Sequence, residues 1–200
     1  MDPNDEWAAP AAGWDDEPAV RAYADAAYAS LLRLLPGQGL RLDGSHVCDF
    51  GCGTGLLTER LVADGVAVDA VDTSEAMLTV LRDKVATRPL LGVAVSSEVI
   101  GATDGYDLVV CSSVCSFLPD YPAVAADLVG RLRPGGVFVQ WDWERSPDDA
   151  GGEGLSREEV RAALAAAGLS DITVETGFEV AVGAEWMRPL LGHGRRPATG

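Results

Sequence analysis

The 200-residue chain predicts an α/β fold: a mostly parallel sheet of seven strands with helices on both faces, ending in an antiparallel hairpin. Three observations predict it. Short apolar runs of strand length alternate with stretches of helical periodicity, the pattern of parallel strands joined by crossover helices. One of those strands runs directly into a glycine-rich turn and a helix, at Val47–Leu57. The last two apolar runs have no helix between them, so they pair antiparallel.

Each element has its own signal. From Pro18 to Leu35 the apolar positions recur at helical spacing, and Pro36-Gly37 ends the run. His46–Phe50 is a short apolar strand, followed by a helix over Leu56–Asp64 that Gly65 stops. Val66–Val71 is the second strand. Thr73 or Ser74 caps a helix over Ser74–Ala86, with Glu75 in its first turn. Leu91–Val95 and Tyr106–Cys111 are the third and fourth strands. A helix over Ala123–Leu132 closes at Pro134-Gly135-Gly136, and Val137–Trp143 is the fifth strand. After a polar loop over Ser146–Gly154, Ser156 and Glu159 have capping-box spacing and open a helix to Ala167 that Gly168 ends. Ile172–Val182 and Trp186–His193, joined by a turn at Gly183, form the hairpin at the sheet edge.

Three regions follow: an acidic arm at 1–17, partly disordered or acting as a lid, a single domain at 18–196, and a short tail at 197–200. The arm has six acids and no base, yet Trp7 and Trp14 suit docking better than full disorder. No apolar run reaches the roughly 18 residues of a membrane span, and no secretory leader pattern opens the chain, so a cytoplasmic protein is expected. Thirty-one acids against fifteen bases give a net charge of −16. Such a surface repels nucleic acid and anionic membranes, which are bound largely through Lys and Arg. Lys84 is the one lysine; the other bases are arginine. The four cysteines form two pairs, Cys48 with Cys52 and Cys111 with Cys115, and the histidines are His46 and His193. Neither spacing suits a zinc site, so no metal is expected, and small buried thiols are the reading preferred.

The chemistry concentrates in Asp49-Phe50-Gly51-Cys52-Gly53-Thr54-Gly55. Glycines let the chain turn sharply and a ligand approach the backbone, and the free amides at the following helix start receive polar or anionic groups. A dinucleotide fingerprint needs its third glycine one residue later, where Leu56 stands. Asp72 ends the second strand, twenty-one residues after Gly51, where a carboxylate can accept both hydroxyls of a ribose. The competing reading makes Asp72 a helix cap, a task that Thr73 and Ser74 can also perform.

These segments resemble the class I S-adenosylmethionine-dependent methyltransferases, in their small, single-domain, small-molecule form. The glycine turn is similar to that family's first motif. Val71-Asp72-Thr73-Ser74-Glu75-Ala76-Met77-Leu78 is similar to its second, Tyr106–Val114 to its fourth-strand motif, and Leu132-Arg133-Pro134-Gly135-Gly136 to the turn before strand five. The resemblance implies a Rossmann-like sheet and S-adenosylmethionine as cofactor, with S-adenosylhomocysteine as product. It implies that Gly51, Cys52, Gly53 and Gly55 line the methionine part and that Asp49 supports the turn and the cofactor ammonium. Asp72, followed by Thr73, would hold the ribose, with Met77 near the adenine. Ser96, with Ser97 and Glu98 after it, stands where relatives place the acid that meets the adenine amine. Cys111 and Ser112 would face the cofactor, and Ser116 replaces a histidine common in relatives. Trp14, Tyr23 and Tyr28 would belong to a lid over the cleft; the alternative makes Tyr23 and Tyr28 packing positions on the first helix.

Methyl transfer from a sulfonium is an in-line displacement in which positioning alone is worth roughly 7–11 kcal/mol. A base is needed only for a weakly acidic acceptor. Asp142 and Glu144 are the candidates, on the same side of strand five as Gln140, with Trp141 and Trp143 opposite. The expected function is O- or N-methylation of a small molecule by a monomer or homodimer. The rivals are a cofactor-binding protein without turnover and a nucleotide-linked oxidoreductase.

Overall fold

The computed structural model describes residues 7–87, 92–99, 105–145, 153–183 and 185–198. The start of the arm, the beginning of the predicted third strand at Leu91 and most of the polar loop after strand five lie outside the described residues. The chain divides into two compact units, Met1–Ile100 and Gly101–Gly200. Seven strands make one mostly parallel sheet, and two more form a separate ribbon.

In the first unit the arm is a 3-10 turn, Ala11–Asp16, leading into α1 (Pro18–Leu34). Pro18 starts α1, where its missing N–H costs nothing. Then come β1 (His46–Phe50), α2 (Leu56–Ala63), β2 (Ala67–Val71), α3 (Glu75–Thr87) and β3 (Val93–Ser96). The strands lie in the order β3-β2-β1, all parallel. Val47, Cys48, Val68 and Ala70 are fully buried, as strands covered on both faces require. His46 closes β1 onto β2 by a contact with Asp69 at 3.2 Å. Arg60 of α2 reaches Asp25 of α1 at 2.5 Å, tying the two helices at the surface.

In the second unit β4 (Tyr106–Ser112), α4 (Tyr121–Gly130), β5 (Leu132–Asp142), α5 (Arg157–Ala166), β6 (Ser170–Thr176), β7 (Val180–Val182), β8 (Glu185–Met187) and β9 (Leu190–Arg195) follow. The main-sheet order is β4-β5-β9-β6, with β9 antiparallel to both neighbours. The predicted capping box forms: Ser156 Oγ accepts from Glu159 N, and Glu159 Oε2 accepts from Ser156 N. Trp141, Phe138 and Tyr106 are the largest fully buried side chains. Burying each contributes about 1.5–3 kcal/mol.

Three details depart from the sequence reading. α4 starts earlier, because Asp120 caps it by accepting from Ala123 N at 3.1 Å. The Pro134-Gly135-Gly136 segment does not stop an element but bulges within β5, whose register on β4 shifts between Tyr106 and Leu108. The hairpin is cut in two: β6 and β9 join the main sheet, while β7 and β8 form the separate ribbon. At the cut Gly177 N still donates to Pro189 O at 2.9 Å, but Pro189 has no N–H to return the bond, and Gly177 lies so close to Trp141 that a Cβ would stand 2.8 Å from its ring.

Candidate functional site

In the first unit the predicted groups converge at the C-terminal ends of β1, β2 and β3. The glycine turn takes left-handed φ at Gly51, Gly53 and Gly55, a conformation other residues adopt only at a cost. Gly55 also packs against Leu81 of α3, leaving no room for a Cβ. The turn is fastened to β2: Gly51 N and Cys52 N both donate to Val71 O, at 2.8 and 3.0 Å. Gly53 N donates to Asp72 Oδ2 at 2.8 Å, and Ser74 N donates to Asp72 Oδ1 at 2.8 Å.

Asp72 therefore braces the turn as well as the entry to α3. Ser74 caps the helix proper, its Oγ accepting from Met77 N at 3.3 Å. Thr73 is exposed and Met77 buried. Ser96 sits beside this acid, because Val71 and Ser96 are register partners and Asp72 N donates to Ser96 O at 3.3 Å. The Ser96 hydroxyl is spent on a local turn, accepting from Glu98 N at 3.0 Å, while Ser97 and Glu98 face solvent.

Asp49 has no exposed surface. Its Oδ2 accepts from the Thr58 hydroxyl at 2.6 Å, and its Oδ1 has no hydrogen-bond partner. Burial pushes its carboxyl up to about 6, with the Asp72 charge adding to the rise and the Thr58 bond opposing it. A buried carboxylate oxygen without a donor is costly and suits a cationic ligand group. Burial also holds the Cys52 thiol well above the usual range, so it is a packing group rather than a nucleophile.

The arm reaches this turn. Thr54 Oγ1 donates to Asp15 Oδ1 at 2.5 Å, and Asp15 Oδ2 meets Lys84 Nζ at 2.5 Å. Trp14, next in the chain, packs edge-on against Trp7 with ring centroids 5.7 Å apart. Tyr23 is buried in the α1 packing, and the Tyr28 hydroxyl donates to Asp64. Nothing in the sequence announces the Asp15–Thr54 contact; Lys84, which pairs with Asp15, stands out only as a lone lysine among fourteen arginines.

In the second unit Cys111 is buried and Ser112 half-buried at the end of β4. Ser113 then adopts a left-handed φ of 57°, strained for a residue with a side chain. It is held there by its N–H to Trp141 O at 2.8 Å and by the Trp143 indole, which donates to Ser113 Oγ at 2.9 Å. Asp142 is buried, not solvated: its Oδ2 accepts from Ser116 N at 3.0 Å and its Oδ1 from Trp143 N at 2.9 Å. Burial raises its carboxyl above the ordinary range, and hydrogen bonds from the Ser116 side chain and from the Trp143, Ser116 and Cys115 backbone oppose the rise. Glu144 is exposed and paired with Arg157 at 2.8 and 3.1 Å. Gln140 is buried and accepts from the Tyr121 hydroxyl at 2.5 Å. His193 is buried in β9, and burial lowers its basicity. All four cysteines are buried free thiols. Among the described residues no His, Cys, Asp and Glu group could hold a metal, and no helix is long and apolar enough to cross a membrane.

Residues 48–138 match the family model described as a methyltransferase domain. The ubiquinone biosynthesis O-methyltransferase of Coxiella burnetii is 30% identical over 102 residues, covering 50% of this chain and 44% of that protein. Its counterpart in Azotobacter vinelandii is 34% identical over 117 residues, 55% of this chain and 49% of that protein. The chain thus spans about half the length of these curated relatives. Among solved structures, a chain of the complex between the Haloferax volcanii Trm112 methyltransferase activator and the putative methyltransferase superposes with a TM-score of 0.74. The two are 19% identical, and the match covers 97% of this chain and 99% of that one. The magnesium protoporphyrin IX methyltransferase of Synechocystis, solved with bound S-adenosylmethionine, gives a TM-score of 0.63 at 23% identity, covering 84% of this chain and 77% of that one.

Proposed function

We propose that the chain is a class I S-adenosylmethionine-dependent methyltransferase that transfers a methyl group to an oxygen or nitrogen of a small-molecule acceptor, a reading supported by the match of residues 48–138 to a methyltransferase domain. One observation carries the reading. A glycine turn stands between two carboxylates, Asp49 with an unsatisfied buried oxygen and Asp72 at the end of β2. The donor set fits the cofactor: Asp49 Oδ1 lacks a donor of the kind an ammonium offers, and Asp72, already accepting from two amides, keeps lone pairs for ribose hydroxyls.

Bound S-adenosylmethionine supplies an activated methyl on a sulfonium. What this chain adds is position. Gly51, Cys52, Gly53 and Gly55 let the backbone come close, and Asp72 fixes the ribose end. Met77 contributes apolar surface on the adenine side, and Ser96, Ser97 and Glu98 border it. By the sequence resemblance alone, Cys111 and Ser112, ending β4, are the second unit's candidates for the cofactor. Asp142 acts as an orienter, holding the segment that carries Ser116, and Glu144 is the candidate to meet the acceptor. The net charge of −16 supports a small, neutral or cationic acceptor over RNA or DNA.

Calorimetry with S-adenosylmethionine and S-adenosylhomocysteine, on wild type and Asp72→Ala, tests the reading. Expected is binding by the wild type that weakens at least tenfold in the variant, followed by methyl transfer to a member of a small-acceptor panel. No binding by the wild type would refute it. A second reading adds an activator subunit, and the near-complete match to the Haloferax chain favours it. Under that reading turnover requires co-expression with a Trm112-type partner.

A further inference from the structure

Taking the glycine turn as the cofactor site, we infer that Lys84 and Asp15 are positioning residues for that turn, acting through the Thr54 hydroxyl. Thr54 lies between Gly53, whose amide donates to Asp72, and Gly55, the N-cap residue before α2. Its side chain is 1% exposed and its hydroxyl donates to Asp15 Oδ1 at 2.5 Å. Asp15 belongs to the 3-10 turn of the arm, and that turn packs on α3. The second Asp15 oxygen meets Lys84 Nζ at 2.5 Å, and the same ammonium meets Glu59 Oε2 of α2 at 3.0 Å. One cation therefore joins the arm, α2 and α3 around the turn.

The chemistry suits the residue. The Lys84 side chain is only 11% exposed, so its two ion pairs are weakly screened and their geometry is enforced. A compact ammonium with three donors serves two carboxylates arriving from different elements, whereas the planar arginine fork suits one bidentate partner. Lysine occurs here and nowhere else in a chain that otherwise uses arginine. α3 thereby holds the turn at two places: Leu81 packs on Gly55, and Lys84, through Asp15, fixes Thr54. The arm contributes a carboxylate to the machinery of the turn instead of merely covering it.

The test measures hydrogen–deuterium exchange over residues 52–59 of the free full chain and its affinity for S-adenosylhomocysteine. It compares wild type, Asp15→Asn, Lys84→Met, Thr54→Val and Thr54→Ser. Loss of a charge-assisted bond predicts faster exchange and roughly ten- to hundredfold weaker binding in the first three variants. Thr54→Ser keeps the hydroxyl and should keep wild-type exchange and affinity, a rescue that a role in packing alone would not give. The Thr54 pair decides the matter even if Lys84→Met fails to fold. Unchanged exchange and affinity in Thr54→Val and Asp15→Asn, with the wild type binding normally, would overturn the relay alone. A wild type that does not bind S-adenosylhomocysteine would overturn the cofactor reading and the positioning role with it.

Discussion

Replacing Asp49 by asparagine should make the free protein more stable at neutral pH and, on the proposed reading of the site, weaken cofactor binding. The carboxylate is fully buried, and one oxygen has no donor. Its carboxyl is raised from an ordinary 3.8 to about 6, chiefly by burial. At about 1.36 kcal/mol per unit, the ionised form costs the folded protein on the order of 3 kcal/mol at pH 7. The raised value means that the Asp49 share of stability is present in full below pH 3.8 and is lost as pH rises to about 6. Asparagine mimics the protonated form and has no such profile. It can still accept from the Thr58 hydroxyl, but its amide lacks an acceptor, which returns about 1 kcal/mol. The net gain at pH 7 is about 1–2 kcal/mol, and it shrinks by about 2–3 kcal/mol as pH falls to 4. Urea unfolding of both proteins at pH 4, 5, 6 and 7 measures this, with calorimetry for S-adenosylhomocysteine beside it. Parallel stability–pH curves for the two proteins would refute the reasoning, because Asp49 would then not be a strained charge.

Other substitutions probe the second unit. Asp142→Asn can accept only one of the two backbone amides well, so exchange over residues 113–118 should accelerate and stability fall by about 1–3 kcal/mol at pH 7, read by exchange and urea unfolding. Gly177→Ala pushes a methyl against the Trp141 ring and Leu191 and should cost about 1–3 kcal/mol, visible as a lower Tm with altered tryptophan fluorescence. Ser156→Ala removes half of the capping box and should cost about 1 kcal/mol in urea unfolding, leaving cofactor affinity intact.

The elements fixed by local chemistry are legible in the sequence. The glycine turn needs backbone freedom that few residues supply, and it forms where the glycines stand. The Ser156–Glu159 box needs only its own first turn, and it forms too. Elements settled by distant packing are not legible. The hairpin reads as two continuous strands, because nothing near Gly177 announces that Trp141 will lie against it. Asp142 and Glu144 read as one candidate face of strand five together with Gln140, yet Gln140 and Asp142 are both buried, each hydrogen-bonded within the fold. Asp72 shows the same limit. Its position predicts a ligand-facing acid, but its bond to the Gly53 amide depends on how β1 and β2 bring the two ends together. Asp15 lies in an acidic run that reads as an arm, partly disordered or a lid, and its pairing with Lys84 links residues too far apart for any spacing rule.

The bonds from Gly51, Cys52 and Gly53 to Val71 and Asp72 make the turn a property of two adjacent strands rather than of a loop. Its shape is inherited from the pairing of β1 with β2, in which Phe50 faces Val71. Insertions and deletions should therefore be tolerated unequally. Length can change around the Asp64–Gly65 corner that leads from α2 into β2 without moving the turn. A single residue gained or lost inside β1 or β2 would turn the wrong side chains inward and carry Asp72 away from Gly53. In a lineage of such chains, length variation should collect at that corner and stay out of the two strands.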